Sequence, residues 1–210
     1  MPVRVKRVRR TPAILSYGAN NLIVITCTIL FFASILFSGI MIDYLALDPV
    51  KFIFMPWQLV TSIFLHVEPM HFFINTLVLF FFGSELERRI GSSRYLKVFL
   101  LSGLAGSVGY ILYAHILKQY TPALGASAAI FGVMGCLAII APEIRVFIFP
   151  FPIPISIRIA LVLFALYDFW MMIANIVGTF HTNIANIAHL AGLLFGIYYG
   201  RKLRWRRYYY

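Results

Sequence analysis

Long apolar runs alternate along this chain with short charged or proline-bearing connections. The runs fall at about 21–42, 71–87, 95–117, 127–140, 153–175 and 183–200. A helix of about 20 apolar residues crosses a hydrocarbon core of roughly 30 Å, so the pattern predicts an all-α polytopic membrane protein with six transmembrane helices in one compact domain. A basic segment, 1–20, precedes this membrane domain (21–200), and a basic tail, 201–210, follows it. Between the first two runs, FIFMPWQLVTSIFL is too short to span and is interrupted by Pro56. Such a segment is expected to form an interfacial first loop with Trp57 at headgroup level.

The fourth run is the shortest, bounded by Pro122 and Gly125 before it and by Pro142 after it. At a rise of about 1.5 Å per residue, Ser127 to Ile140 reaches only about 21 Å, so this helix has to begin inside the membrane. If its far end is anchored near Glu143 and Arg145, Ser127 lies roughly 10 Å below the opposite surface. The loop before it, LKQYTPALGA, then dips to that depth, where irregular backbone is tolerated only against protein or a wet cavity. His189 follows Asn183, at the start of the last run, by six residues. That spacing puts it at about 9 Å, a depth close to that of Ser127. His71 and Asn75, four residues apart, share one face near the start of the second helix.

Composition sharpens this picture. Hydrophobic residues make up 61% of the 210-residue chain and charged residues 12%, against about 25% charged in soluble domains. The formal net charge of +11 is confined to termini and short loops, which is not the clustered basic face of a nucleic-acid binder. RVKRVRR precedes an apolar stretch longer than a signal-peptide core and lacking an evident cleavage site, so that stretch is read as a retained anchor. Of the 18 Lys and Arg residues, five sit in 4–10, four at Arg88, Arg89, Arg94 and Lys97, two at Arg145 and Arg158, and five in RKLRWRR. Only Lys51 and Lys118 fall on the other side, so the charge bias puts both termini in the cytoplasm of a multi-pass cell-membrane protein. Cys27 and Cys136 both lie within apolar runs, where packing is their expected role. Two cysteines are too few for a metal cage, and no cofactor is expected.

Four polar side chains from three helices can thus meet in one cavity, and intramembrane ionisable residues usually face the bundle interior. A serine alone in a membrane helix more often bonds back to its own helix or serves as a small packing residue. The combination at one depth beside a helix N-terminus shifts the reading, because free N–H groups and the positive dipole end there can hold a developing oxyanion. Gly192 and Gly196, with Gly132 and Gly135, offer two small faces for close helix contact. Packing alone explains these glycines equally well.

These residues resemble the rhomboid family of intramembrane serine proteases over nearly the whole chain. GASAAIFG (Gly125 to Gly132) is similar to its G-x-S-G-x-x-x-G motif, HVEPMHFFIN (His66 to Asn75) to H-x4-H-x3-N, and AHLAGLLFG to A-H-x-x-G-x-x-x-G. The resemblance implies Ser127 as nucleophile, His189 as general base, and His71 and Asn75 as oxyanion-hole side chains beside the Ser127 N–H. Glu87 matches a structural acidic position, and His66, Gly125, Gly132, Gly192 and Gly196 match supporting ones. Three positions depart from the pattern: Ala128 replaces glycine, Phe131 a tyrosine that stacks on the histidine, and Gln58 an arginine after the loop tryptophan.

The expected reaction is attack by Ser127 on a peptide carbonyl, with His189 taking its proton and returning it to the leaving amine. No acidic residue lies at a matching depth on the sixth helix, so a Ser–His dyad is expected rather than a triad. Asp168 is expected to pair structurally or face the outer cavity. The rivals are an inert rhomboid-like protein that binds membrane clients, and a small transporter or proton channel using His71, His189 and Asp168. Inert relatives characteristically lose Ser or His, and no internal repeat marks a transporter. Expected partners are the lipid bilayer and transmembrane protein substrates cut near the outer face; the sequence names neither the substrate nor an oligomeric state. Tyr167, Phe169 and Trp170, followed by the uncharged stretch 171–182, suggest that the fifth helix and the loop after it gate substrate access.

Overall fold

The computed structural model describes residues 18–148, 151–178 and 185–209. The chain is mostly helical. Helix α1 (Ala19–Leu45) leads into a turn-rich loop holding a 3-10 turn (Lys51–Ile53) and the short α2 (Gln58–Thr61). Helix α3 (Pro69–Val78) continues through a π turn (Leu79–Gly83) into α4 (Ser84–Ile90), and α5 (Ser92–Leu117) follows. Next come α6 (Ser127–Ile140), an antiparallel hairpin of β1 (Arg145–Ile148) and β2 (Phe151–Ser156), α7 (Ile157–Val177) and α8 (Asn186–Tyr209).

Four helical stretches among the described residues are long and apolar enough to cross a membrane: Ala19–Leu45, Pro69–Ile90, Ser92–Leu117 and Ile157–Val177. The fourth apolar run forms the shorter α6, 14 residues beginning at Ser127.

Two boundaries differ from the sequence pattern. Residues 153–156, expected in the fifth helix, pair as a strand, with Arg145 opposite Ser156 and Val146 opposite Ile155. Prolines 152 and 154 explain the difference, because a proline inside a helix removes a backbone donor and its ring clashes with the preceding turn. Helix α7 starts only after them, where the Ser156 hydroxyl accepts the Ile159 N–H at 3.3 Å, an N-cap bond. The expected tail at 201–210 continues α8 to Tyr209, since Lys and Arg are good helix formers and suit the negative end of a helix dipole. Most of the basic segment expected at 1–20, and the start of the last run at 183, lie outside the described residues.

Helix α6 is the core of the molecule. Its residues from Ala128 to Ala138 are buried apart from Phe131, as befits a helix that is apolar all round. A Cβ on Gly192 of α8 would strike the Ala128 backbone, and one on Gly196 would strike that of Gly132. Gly132 in turn lies against Ser102 of α5 and the Gly192 carbonyl. Close backbone approach of this kind is the commonest use of small residues in membrane helices. It fixes the start of α6 against the first turns of α8.

A second polar cluster sits at the far end of the α3–α4 stretch. The two Glu87 oxygens accept the N–H groups of Ala19 and Asn20 at 2.6 and 2.9 Å, capping α1 from another helix. The π turn loosens the ladder near Leu79, and the Asn20 amide donates to the Leu79 carbonyl at 2.8 Å and to Ser84 Oγ at 3.0 Å. Tyr95 donates its hydroxyl to Asn20 Oδ1. Gly83 carries no side chain because a Cβ would overlap Asn20 and Tyr95.

Candidate active site

Ser127 is the first residue of α6, and the chain before it is pinned at several points. Leu47 and Ala123 exchange backbone hydrogen bonds of 2.8 and 2.9 Å, and the Gly125 N–H donates to the Ser62 carbonyl at 2.9 Å. Gly125 has φ 115, a conformation natural to glycine alone, and a Cβ there would run into the His71 ring. The loop of residues 46–68 therefore braces the turn that delivers Ser127.

Gln58 anchors that loop from inside. Fully buried, it accepts the Asp48 N–H and donates to the Asp43 carbonyl, both at 3.2 Å, while Trp57 Nε1 donates to the Tyr44 carbonyl at 2.8 Å. An amide supplies here the tether that an arginine was expected to make.

His66 holds the final residue before the serine. The Ala126 N–H donates to His66 Nε2 at 3.4 Å, and His66 Nδ1, 3.2 Å from the Phe64 carbonyl, can only donate to it. Both contacts need the neutral ring with its proton on Nδ1. Burial, with the neighbouring His71 adding to it, pushes the His66 imidazole down to about 4.

Across the α6–α8 contact, Ser127 Oγ stands 2.8 Å from His189 Nε2. The imidazole stacks on Phe131, with centroids 4.7 Å apart and planes 8° from parallel, so phenylalanine supplies the ring expected of a tyrosine. Ser127, His189 and His71 are each partly exposed, which leaves them open to reactants. The first N–H groups of α6 lack intrahelical acceptors, as at any helix start.

Asp168 departs from expectation. Only 3% exposed, its carboxylate faces His189, with both oxygens 3.2 Å from Nδ1, and Oδ1 also accepts from Asn186 Nδ2 at 2.6 Å. A dyad was expected because the sixth apolar run carries no acid at the depth of His189; this acid comes instead from α7. Tyr167, Phe169 and Trp170 around it are 55%, 52% and 69% exposed, so these aromatics do not hold α7 to the bundle. The stretch 179–182 of the expected gate lies outside the described residues.

His71 and Asn75 sit on α3, with the His71 ring beside Gly125 and 5.2 Å from that of His66. Asn75, buried, donates from Nδ2 to the His71 carbonyl at 2.8 Å. An amide nitrogen carries two hydrogens, so this bond does not exhaust it. Among the described residues no three His, Cys, Asp or Glu side chains are grouped to share a metal ion, and Cys27 and Cys136 are buried and unpaired with each other.

The Rhomboid domain profile matches residues 54–206. "Rhomboid protease GluP" of Bacillus subtilis (strain 168) is 39% identical over 85 residues, 40% of this chain and 16% of that protein. "Rhomboid protein 1, mitochondrial" of Saccharomyces cerevisiae is 34% identical over 91 residues, 42% of this chain and 26% of that protein. "Inactive RHOMBOID-like protein 8" of Arabidopsis thaliana is 35% identical over 81 residues, 39% of this chain and 22% of that protein. The chain thus spans at most 26% of the length of these relatives.

Proposed function

The chain belongs to the rhomboid family, and on that premise we propose that it is an intramembrane serine endopeptidase in which Ser127 and His189 act as nucleophile and base. The observation that carries this reading is the 2.8 Å contact between Ser127 Oγ and His189 Nε2. Ser127 Oγ forms a bond to the scissile carbonyl carbon as its proton passes to His189 Nε2. The proton then goes to the leaving amine as the peptide bond breaks, and water hydrolyses the acyl-enzyme by the same steps. The Ser127 N–H, His71 and Asn75 would hold the oxyanion.

In this reading six helices cross the cell membrane, the basic ends at 1–20 and 201–210 lie in the cytoplasm, and the residues 21–200 between them form the membrane domain. Substrates are other transmembrane proteins, cut near the outer face. The alternative is an inert client-binding rhomboid-like protein. Identity alone does not separate the two, because a relative named inactive, at 35%, is nearly as similar as one named a protease, at 39%. The intact Ser127–His189 pair favours the enzyme.

The test is reconstitution of the purified chain in liposomes with a model transmembrane substrate. Cleavage that disappears in Ser127→Ala supports the proposal. Cleavage persisting in Ser127→Ala, or absent from the wild type, contradicts it.

A further inference from the structure

Asp168 is the only acidic residue of α7, a helix whose other buried positions are Ile157, Ala160, Leu161 and Ala174. A buried carboxylate within an apolar helix is strongly unfavourable unless donors compensate it. Two donors do so here, Asn186 Nδ2 at 2.6 Å and His189 Nδ1 at 3.2 Å, and both come from α8. Asn186 alone would serve if the carboxylate were only a tether between helices. The second donor belongs to the ring whose other nitrogen faces Ser127.

We propose that Asp168, itself oriented by Asn186, is a positioning residue for the reaction, accepting the Nδ1–H of His189. This rests on the reading of Ser127 and His189 as nucleophile and base. Nε2 can accept the serine proton only if the neutral ring carries its hydrogen on Nδ1. A carboxylate, which only accepts, selects that tautomer and stabilises the imidazolium that forms. Asp168 takes no proton; the serine proton stays on Nε2 until the leaving amine receives it. Since the acid rides on α7 and the base on α8, the alignment holds only while α7 lies against α8.

Asp168→Asn tests the proposal with nearly unchanged shape. Asn186 would keep its bond to Oδ1, turning the new amide N–H toward His189 Nδ1 and forcing the hydrogen onto Nε2. In the reconstituted chain, kcat should fall by about 10²- to 10⁴-fold, with KM changed by less than about twofold. The direct readout is the 15N spectrum of histidine-labelled protein, with His189 assigned by His189→Gln. Wild-type His189 should carry its hydrogen on Nδ1, and in Asp168→Asn it should move to Nε2. A wild-type ring protonated on Nε2 overturns the proposal even if the variant does not fold, and so does an Asp168→Asn protein with unchanged kcat. A wild-type chain that neither cleaves substrate nor reacts with a fluorophosphonate overturns the protease reading instead.

Discussion

The two ends of the α3–α4 stretch, sixteen residues apart between His71 and Glu87 and so about 24 Å along the helix, each hold a partly buried polar cluster, built on opposite plans. At the Glu87 end, side chains chiefly satisfy backbone. Glu87 caps α1, Asn20 closes the gap at the π turn, and Tyr95 and Ser84 complete Asn20. At the Ser127 end one line of contacts runs from side chain to side chain, from Ser127 to His189, Asp168 and Asn186. A cluster that satisfies backbone can only hold the fold. One that links a hydroxyl, an imidazole and a carboxylate is able to move a proton.

The two ends should differ most at the serine and histidine. Ser127→Ala and His189→Ala should each lower cleavage by about 10⁴-fold or more, and the double mutant should lose little further, since residues acting as a unit are not additive. Additive losses, measured on liposomes with a transmembrane substrate, would mean two separate roles. Next in size, His71→Ala and Asn75→Ala should each reduce kcat by about 10²- to 10³-fold, the usual effect of removing an oxyanion donor. A wild-type rate in Asn75→Ala would remove that residue from the site.

The Glu87 end should respond in stability rather than in rate. Glu87→Ala strips two charge-assisted bonds from the start of α1 and should destabilise the protein by about 1–3 kcal/mol, while turnover per folded molecule stays near wild type. Thermal unfolding in detergent, paired with active-site titration, separates the two effects.

Much of the site is legible in the sequence because depth can be counted along a helix. The short α6 and the spacing of His189 are enough to bring Ser127 and His189 to one level. The glycines of α6 and α8 mark the faces that meet. The contact of Asp168 with His189 is hidden because it joins two helices at a separation of 21 residues, and a pattern along one helix carries no crossing geometry. Capping of α1 by Glu87 spans 68 residues from Ala19 and is hidden for the same reason. Residues 153–156 have the apolar composition of the helix that follows them, yet they form a strand, so the prolines beside and within them are the stronger signal.

Smaller effects follow from groups beside the two clusters. His66 takes a proton at 6.5 in the unfolded chain but only at about 4 in the folded one. The unfolded state therefore binds more protons between these values, and stability held above pH 6.5 should be lost as pH falls toward 4. Thermal scans of wild type and His66→Gln should converge over that range; parallel curves would deny His66 this role. Smallest of all, Trp170→Ala should change the ratio of transmembrane-substrate to soluble-ester cleavage by less than about twofold, since exposed side chains rarely matter to packing. A large rise would support the aromatic gate.

Activation of Ser127 as a nucleophile by His189 can be read from intact-protein mass spectrometry after fluorophosphonate treatment. One phosphonyl adduct, mapped to Ser127, should form in the wild type and be lost in His189→Ala. A wild-type chain without an adduct, an adduct on another residue, or equal labelling of His189→Ala would contradict it.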